Sequence, residues 1–458
     1  MAAFATVCFL LLAVTACKKT TAPTTIEAKQ SRLDWNLKTT VGAYQEIGNT
    51  DPKWDEPVTN ALAEFAASRS RSFAPDEDWA TIIRTNCDMA VKTGCDDPMI
   101  RYLYIKFSMS QTNNPKDFSD AFCRMADDME QSSYPDIRKF YAALRTAQQL
   151  KFAAGDITNT PPEVHKYRRL AMTNLANSLD DNLMPIGEVD DACNEMLGEL
   201  EQNQKQYEDC YNLIENSLFK NWPDESAVCL LKGEAYIKKA WFARGGGYAN
   251  TVTEEGAKTF AADLAIAEQA LNRAWKLNPK DPRIAVKMMS VELGQGQGRE
   301  RMELWFNRAM ELNPNDYDAC SAKLFYLEPK WYGSANDMLN FGRECVQSTN
   351  WGGRIPLILI DAHSSLCGYI DKSEQTNYWK QPDVWADIKS AYEKFFELNP
   401  NAAGYHAYYA WYAYYAEDWD TLNQLIPKLE PNDYNLFGGK NEFGKIVQLA
   451  KENASKPK

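Results

Sequence analysis

The residue types that carry most protein chemistry are sparse in this chain. Its 458 residues include three histidines, His165, His363 and His406. Histidine is the commonest metal ligand and general base, so a metal site built from several histidines is not expected. Asp361 and His363 stand two apart on a predicted helix, but no serine or cysteine nucleophile motif lies near them. We therefore predict a protein that is not an enzyme and that uses neither a metal nor another cofactor.

The cysteines and glycines also do not occur at the spacings of known catalytic or ligand-binding motifs. Of 11 cysteines, two lie within the first seventeen residues, which leaves 11 − 2 = 9, and no CxxC pair occurs. Cys87 with Cys95 and Cys210 with Cys229 are close enough in sequence to be disulfide candidates. The alternative is that most cysteines are small apolar residues at helix contacts. Glycines 245–247 lack the Lys-Ser/Thr context of a phosphate-binding loop, so they predict a loop between helices.

Aromatic residues are the more informative group. Residues 405–419 hold eight of them, which cover every side of a helix because 3.6 residues make one turn. This helix is either packed inside the fold or exposes an aromatic platform. Trp331 lies in a predicted loop between Pro329 and Gly333, and loops with large aromatics often bind ligands. The candidate binding residues are Trp331, Tyr332, Tyr408, Trp411, Tyr412 and Tyr415.

The N-terminal residues predict the location of the protein. Residues 1–16 are uncharged after Met1, mostly apolar and too short to span a bilayer with ease, which is typical of a signal peptide. They lead into Val14-Thr15-Ala16-Cys17, which resembles the bacterial lipobox, although no Lys or Arg precedes the apolar run. The resemblance implies diacylation of Cys17 and anchoring in the bacterial cell envelope, at the periplasmic side of the outer membrane. Residues 17–49, polar and rich in threonine at their start, are predicted to be a flexible tether.

A recurring phrase then indicates helical repeats. Amphipathic helices end in Leu-Asn-Pro at Pro279 and Pro314, which are 314 − 279 = 35 residues apart, and again at Pro400. Small residues such as Ala274 and Ala309 recur at fixed offsets before these turns. This pattern resembles the tetratricopeptide repeat (TPR), in which small residues let two antiparallel helices approach closely. Over roughly 205–450 the chain also resembles a family of uncharacterised bacterial TPR-like proteins, which implies the fold and no known activity.

These patterns give the predicted organisation. Residues 50–204 form a helical N-terminal region of degenerate repeats, and residues 205–450 form TPR-like repeats. Insertions interrupt the second region near 241–262 and 327–385. The predicted fold class is all-α, an α-solenoid of TPR-like helix pairs.

Charge and architecture together indicate the class of function. The net charge of −13 argues against nucleic-acid binding, because a phosphate backbone requires a basic face. We expect a scaffold that binds a protein or peptide on its concave face and meets the membrane only through its N-terminal lipid. The first alternative is a lipoprotein that captures glycans on a Trp/Tyr platform, and the second is a hydrolase with an unrecognised site. The sequence leaves the oligomeric state open.

Overall fold

The computed structural model describes residues 25–70, 78–108, 115–155 and 160–454. The predicted signal peptide and Cys17 lie outside these residues. The described residues form twenty-two α-helices, with short 3-10 and π-helical segments and no β-strand. None of these helices is both long and apolar enough to cross a bilayer. The chain divides into two compact units, Met1–Asn221 and Trp222–Lys458, so the division falls one helix later than the predicted boundary at residue 204.

Unit 1 consists of helices that pack in chain order from α3 onward, each on the next one, with α1 against α3 and α9. Its helices are α1 (Thr25–Leu37), α2 (Ala43–Ile47), α3 (Asp55–Ser68), α4 (Trp79–Lys92), α5 (Pro98–Phe107), α6 (Pro115–Gln131), α7 (Asp136–Ala154), α8 (Pro162–Ser178), α9 (Ile186–Glu199) and α10 (Gln204–Asn221). Prolines stand at or next to several helix starts, as at Pro98 of α5, where the missing amide hydrogen leaves no helix hydrogen bond unmade.

Unit 2 has a similar organisation. Its helices are α11 (Ser226–Arg244), α12 (Glu254–Leu277), α13 (Pro282–Gln295), α14 (Arg299–Leu312), α15 (Tyr317–Tyr326), α16 (Ala335–Gln347), α17 (Ile358–Cys367), α18 (Gln375–Trp379), α19 (Pro382–Leu398), α20 (His406–Tyr415), α21 (Trp419–Leu425) and α22 (Lys440–Ala454). Most consecutive helices are joined by short connections and pack on each other, as α11 does on α12 and α13 on α14. An exception is α17, which packs on α19 rather than on α18.

Small residues set the distance between paired helices. A Cβ atom added to Gly233 of α11 would lie 2.5 Å from Cγ of Leu271 in α12, so only glycine fits there. Ala274 and Ala309, the predicted small positions of two repeats, have no exposed surface. The prediction of an all-α chain, an α-solenoid of TPR-like helix pairs, is therefore confirmed.

The predicted insertions differ in structure. The first is the loop of residues 245–253 between α11 and α12. The second begins as a loop after α15 and continues as helices α16 to α18. Ser334 caps α16, since its hydroxyl oxygen accepts a hydrogen bond from the amide of Asp337 at 3.1 Å. Because α16 and α17 pack closely at Gly342, most of the second insertion is a further helix pair rather than an interruption.

The predicted tether is largely helical. Residues 25–47 form α1, a π-helical turn at Lys38–Gly42 and α2. Their buried anchors include the polar residues Asn36 and Thr40, so the segment shows no clear apolar periodicity in its sequence. A flexible tether over the whole of residues 17–49 is therefore wrong for the part that the structure describes.

A buried carboxylate connects α1 to other helices of unit 1. Glu188 of α9 is fully buried and accepts hydrogen bonds from Arg32, Asn36 and Arg69, each at 2.8 Å. Burial alone would raise the pKa of Glu188, but the attraction of Arg69 and Arg32 and these hydrogen bonds outweigh it and lower the pKa to about 2. Three elements, α1, α3 and α9, thus meet at one ionised side chain.

The nine cysteines that follow Cys17 are all free thiols, so neither Cys87 with Cys95 nor Cys210 with Cys229 forms a disulfide in this structure. All nine are buried or partly buried. Burial raises the pKa of the Cys193 thiol well above its usual value, which is typical of cysteines that act as small apolar residues at helix contacts.

We predict that Glu188→Gln destabilises unit 1 by about 3–5 kcal/mol, because it removes the buried carboxylate between Arg32 and Arg69 and leaves them only the half-exposed Asp191. Urea unfolding measures the loss, and hydrogen exchange should accelerate in α1. Asp128→Asn is the control: it removes an exposed partner of Arg101 and should cost less than about 1 kcal/mol. Equal effects of the two substitutions would contradict the fastening role.

Candidate functional site

An open groove lies at the C-terminal end of unit 2. It has a volume of about 500 Å³ and runs between α20, the 3-10 segment Pro431–Phe437 and α22. We call it the C-terminal groove. Its lining residues are Trp411, Tyr414, Tyr415, Leu436, Phe437, Gly438, Glu442, Lys445, Ile446 and Leu449.

Local sequence explains how the groove is built. Trp411 and Tyr415 are one helical turn apart on α20, and their ring centroids are 4.4 Å apart. Opposite them, Gly438 and Gly439 have φ angles of +87° and +96°, which favour glycine. These two residues lie between the 3-10 segment, which ends at Phe437, and α22, which begins at Lys440, so they set the direction in which α22 leaves to form the second wall of the groove.

Aromatic and aliphatic residues make up most of the lining, while tyrosine, charged and backbone polar atoms supply slightly more than half of its exposed surface. Leu436 and Leu449 remain 37% and 40% exposed, a large fraction for leucine. The charged residues of the lining, Glu442 and Lys445, form an ion pair with each other at 2.6 Å and leave the groove without net charge. The exposed leucines suit packing against apolar side chains, and the tyrosine rings add hydroxyl groups that can hydrogen-bond.

The aromatic helix α20 therefore combines the two arrangements that its sequence allowed, a side packed inside the fold and a side that exposes aromatic rings. Tyr409 stacks on Tyr392 of α19 at 4.6 Å, and Tyr412 packs on Trp379 at 5.1 Å, so this side is part of the core. Trp411 and its neighbours face the C-terminal groove instead. Of the four predicted binding residues near this helix, Trp411 and Tyr415 line the groove, whereas Tyr412 and Tyr408 do not.

Tyr408 is 54% exposed outside the groove lining. The binding role of all six predicted residues stays a prediction.

Trp331 and Tyr332 belong to a different place in unit 2. The Trp331 ring lies 5.7 Å from Trp241 of α11 and 5.9 Å from Phe325 of α15. The Arg244 guanidinium carbon sits 5.3 Å from the centre of the Trp331 ring and 5.5 Å from that of Trp241. We call Trp241, Arg244, Phe325, Trp331 and Tyr332 the insertion cluster. Neither Trp331 nor Tyr332 lines the C-terminal groove, so the structure does not unite the predicted residues in one site.

The insertion cluster joins the two segments that interrupt the repeats. The hydroxyl of Tyr332 donates to the carbonyl of Leu293 at the end of α13, at 3.1 Å. This hydrogen bond fixes the residue after Trp331, and the Trp331 ring lies partly buried against Trp241 of α11. Sequence reasoning did not single out Trp241 and Arg244, although their spacing of three residues before a glycine run is a detectable cation–π pattern.

His363 is the centre of a buried polar network. Its Nδ1 lies 2.8 Å from the Tyr378 hydroxyl and its Nε2 lies 3.1 Å from Asp387, which pairs with both nitrogens of the Arg343 fork. Asp361, its neighbour in sequence, instead accepts a hydrogen bond from Tyr317. The His363 side chain is 2% exposed, so it has no surface to offer a ligand.

Comparisons with known proteins add little to this geometry. No protein-family model and no curated protein matches the chain. Among solved structures, a chain of the human IFIT1 dimer with m7Gppp-AAAA is similar over 93% of this chain and 95% of its own length, at 12% identity and a TM-score of 0.28. At that TM-score the similarity carries no argument about the site or its ligand.

We predict that His363 makes the stability of unit 2 depend on pH. Burial lowers the pKa of His363 below its ordinary value of 6.5, and the hydrogen bond to Asp387 only partly opposes this. As the pH falls through 6.5 the unfolded chain takes up a proton that the folded chain does not, so the free energy of unfolding decreases. Urea unfolding at pH 7.5 and 5.5 should show a smaller decrease for His363→Gln than for the wild type. Identical decreases would show that His363 does not contribute.

Proposed function

We propose that this chain is a helical-repeat scaffold without enzymatic activity that binds an apolar peptide segment of a partner protein in the C-terminal groove. The main support for this proposal is the groove itself, in which Trp411 and Tyr415 lie opposite the exposed leucines Leu436 and Leu449. Aromatic anchors in a concave apolar site supply much of the binding energy of protein interfaces. The repeats supply a rigid frame that holds these anchors in place before binding.

The lining favours a peptide over a glycan. A sugar ring needs hydrogen-bonding partners as well as an aromatic face, and because Glu442 and Lys445 bind each other, these would come chiefly from Tyr414 and Tyr415. Leu436, Ile446 and Leu449 instead offer aliphatic surface that suits leucine, valine or phenylalanine side chains of a peptide. We therefore retain glycan capture as the alternative that the experiment below must exclude. The negative charge of −13 supports a partner other than nucleic acid.

We further propose that the protein is anchored in a bacterial cell envelope through a lipid on Cys17. The support is the run of small residues before Cys17, which resembles a lipobox, and the apolar segment in front of it. An acidic body is repelled by anionic lipid headgroups, so the lipid would hold the repeats near the membrane without laying them on it.

We predict that Trp411→Ala weakens peptide binding about thirtyfold, the equivalent of about 2 kcal/mol for an anchor residue. The probe is a set of twelve-residue peptides selected from a random displayed library against the full chain, with dissociation constants measured by calorimetry. Leu449→Glu should weaken binding comparably, because it replaces exposed aliphatic surface of the groove with a charged carboxylate.

Tyr408→Ala is the matched control, since it removes an exposed aromatic residue of the same helix outside the groove. Circular dichroism of each variant checks that the helices persist. Selected peptides that bind Trp411→Ala and Leu449→Glu as tightly as the wild type would contradict the groove assignment. Saturable binding of neutral oligosaccharides that Trp411→Ala abolishes would favour glycan capture instead.

We predict that Cys17→Ser abolishes incorporation of radiolabelled palmitate in a bacterial host that processes lipoproteins. The protein should then move from the membrane pellet to the soluble fraction, because no described helix spans a bilayer. Cys8→Ser, within the predicted signal peptide, is the control and should leave labelling unchanged. Unaltered labelling of Cys17→Ser would show that the lipobox interpretation is wrong.

A further inference from the structure

The insertion cluster holds a positively charged group without an acidic partner. Arg244 is half-buried and lies over the rings of Trp241 and Trp331. Its Nη1 donates to the carbonyls of Gly245 and Gly247 at 3.2 Å and 3.1 Å. No carboxylate of the described residues lies within ion-pair distance, and none of these residues accepts a hydrogen bond from Nε or Nη2. Two of its nitrogens thus remain available.

The backbone fixes this guanidinium before any ligand arrives. Gly245 has φ = 76° and ψ = 170°, a combination essentially restricted to glycine. The chain turns there at the end of α11, and the carbonyls of the glycine run meet Arg244. A planar guanidinium held on two indole faces loses little further freedom when it binds, and it matches the two oxygens of a carboxylate.

A second donor in the cluster is also unsatisfied. The indole nitrogen of Trp331 is buried and has no hydrogen-bond partner. Because this N–H is buried, a ligand on the surface does not reach it, so Arg244 is the donor of the cluster that a ligand can contact. Lys330, the cation beside these rings, is already paired with Glu328 at 2.6 Å, which leaves Arg244 to determine the charge preference.

The surroundings of Arg244 supply apolar contact area. Tyr332 and Phe325 are 44% and 38% exposed, and Tyr248 of the neighbouring loop is 75% exposed. Exposed aromatic rings next to a cation suit a segment in which an acidic residue is flanked by an aromatic or aliphatic one. An acidic saccharide shares the carboxylate, but the cluster has more ring surface than polar partners to offer its hydroxyl groups.

We propose that the insertion cluster is a second binding site, which takes an acidic peptide segment with its carboxylate on Arg244 and its apolar side chains on the exposed rings. The end of α11 and the loop after α15 build this site together. None of its residues lines the C-terminal groove, so the failure of either site leaves the other unaffected.

Calorimetry with defined probes tests the proposal on the full chain. The probe is the acetylated and amidated tetrapeptide Phe-Glu-Phe-Glu, with Phe-Gln-Phe-Gln as its uncharged counterpart. The acidic peptide should bind at least about tenfold more tightly to the wild type, and Arg244→Gln should remove that difference. Gly245→Ala should weaken the acidic peptide as well, since it displaces the carbonyls that hold the guanidinium.

Arg308→Gln is the matched control, because Arg308 also stacks on two tryptophans, Trp275 and Trp305, at 5.2 Å and 4.3 Å. It should leave both peptides unaffected. The proposal is overturned by equal binding of the two peptides to the wild type, or by an acidic preference that survives Arg244→Gln. Tighter binding of an oligogalacturonate than of the acidic peptide, lost in Arg244→Gln, would replace the peptide by a saccharide.

Discussion

The close approach of consecutive helices at small residues is the constraint on which the rest of this structure depends. At Gly233 and Gly342 a single added carbon would collide with the partner helix, at 2.5 Å from Leu271 and 2.8 Å from Leu359. Ala274 and Ala309 are fully buried at equivalent contacts. Each helix pair buries only part of its apolar surface, so the pairs must stack on one another. The stacking then determines which side of each helix is covered by a neighbour and which side is exposed.

Both candidate sites arise where that regular stacking is modified. The insertion cluster forms because the loop after α11 and the loop after α15 meet beside the same helix, with Arg244 held between Trp241 and Trp331. The C-terminal groove forms because the last helix, α22, packs on α21 and leaves space beside α20. In each case a glycine with positive φ, Gly245 or Gly438, redirects the chain at the edge of the site.

Buried polar networks position helices whose sequences have too little apolar periodicity to determine how they pack. Glu188 draws α1 onto unit 1 through Arg32 and Arg69, and His363 links Asp387 with Tyr378 within unit 2. Removing one member of such a network leaves the others desolvated and unpaired, so each network specifies one arrangement of its helices. This explains why a segment with few apolar residues, such as α1, is nevertheless ordered.

The sequence by itself determined the helical-repeat architecture and the positions that pack, because these depend on local periodicity and on small residues such as Ala274 and Ala309 at fixed spacing. It also singled out Trp411 and Trp331 as unusual. Only the tertiary structure decided which ring faces which surface. Tyr412 entered the core and Tyr415 the groove although they are three residues apart, since the partners α18, α19 and α22 come from elsewhere in the chain. Contacts of this kind depend on long-range packing, which no spacing within one helix encodes.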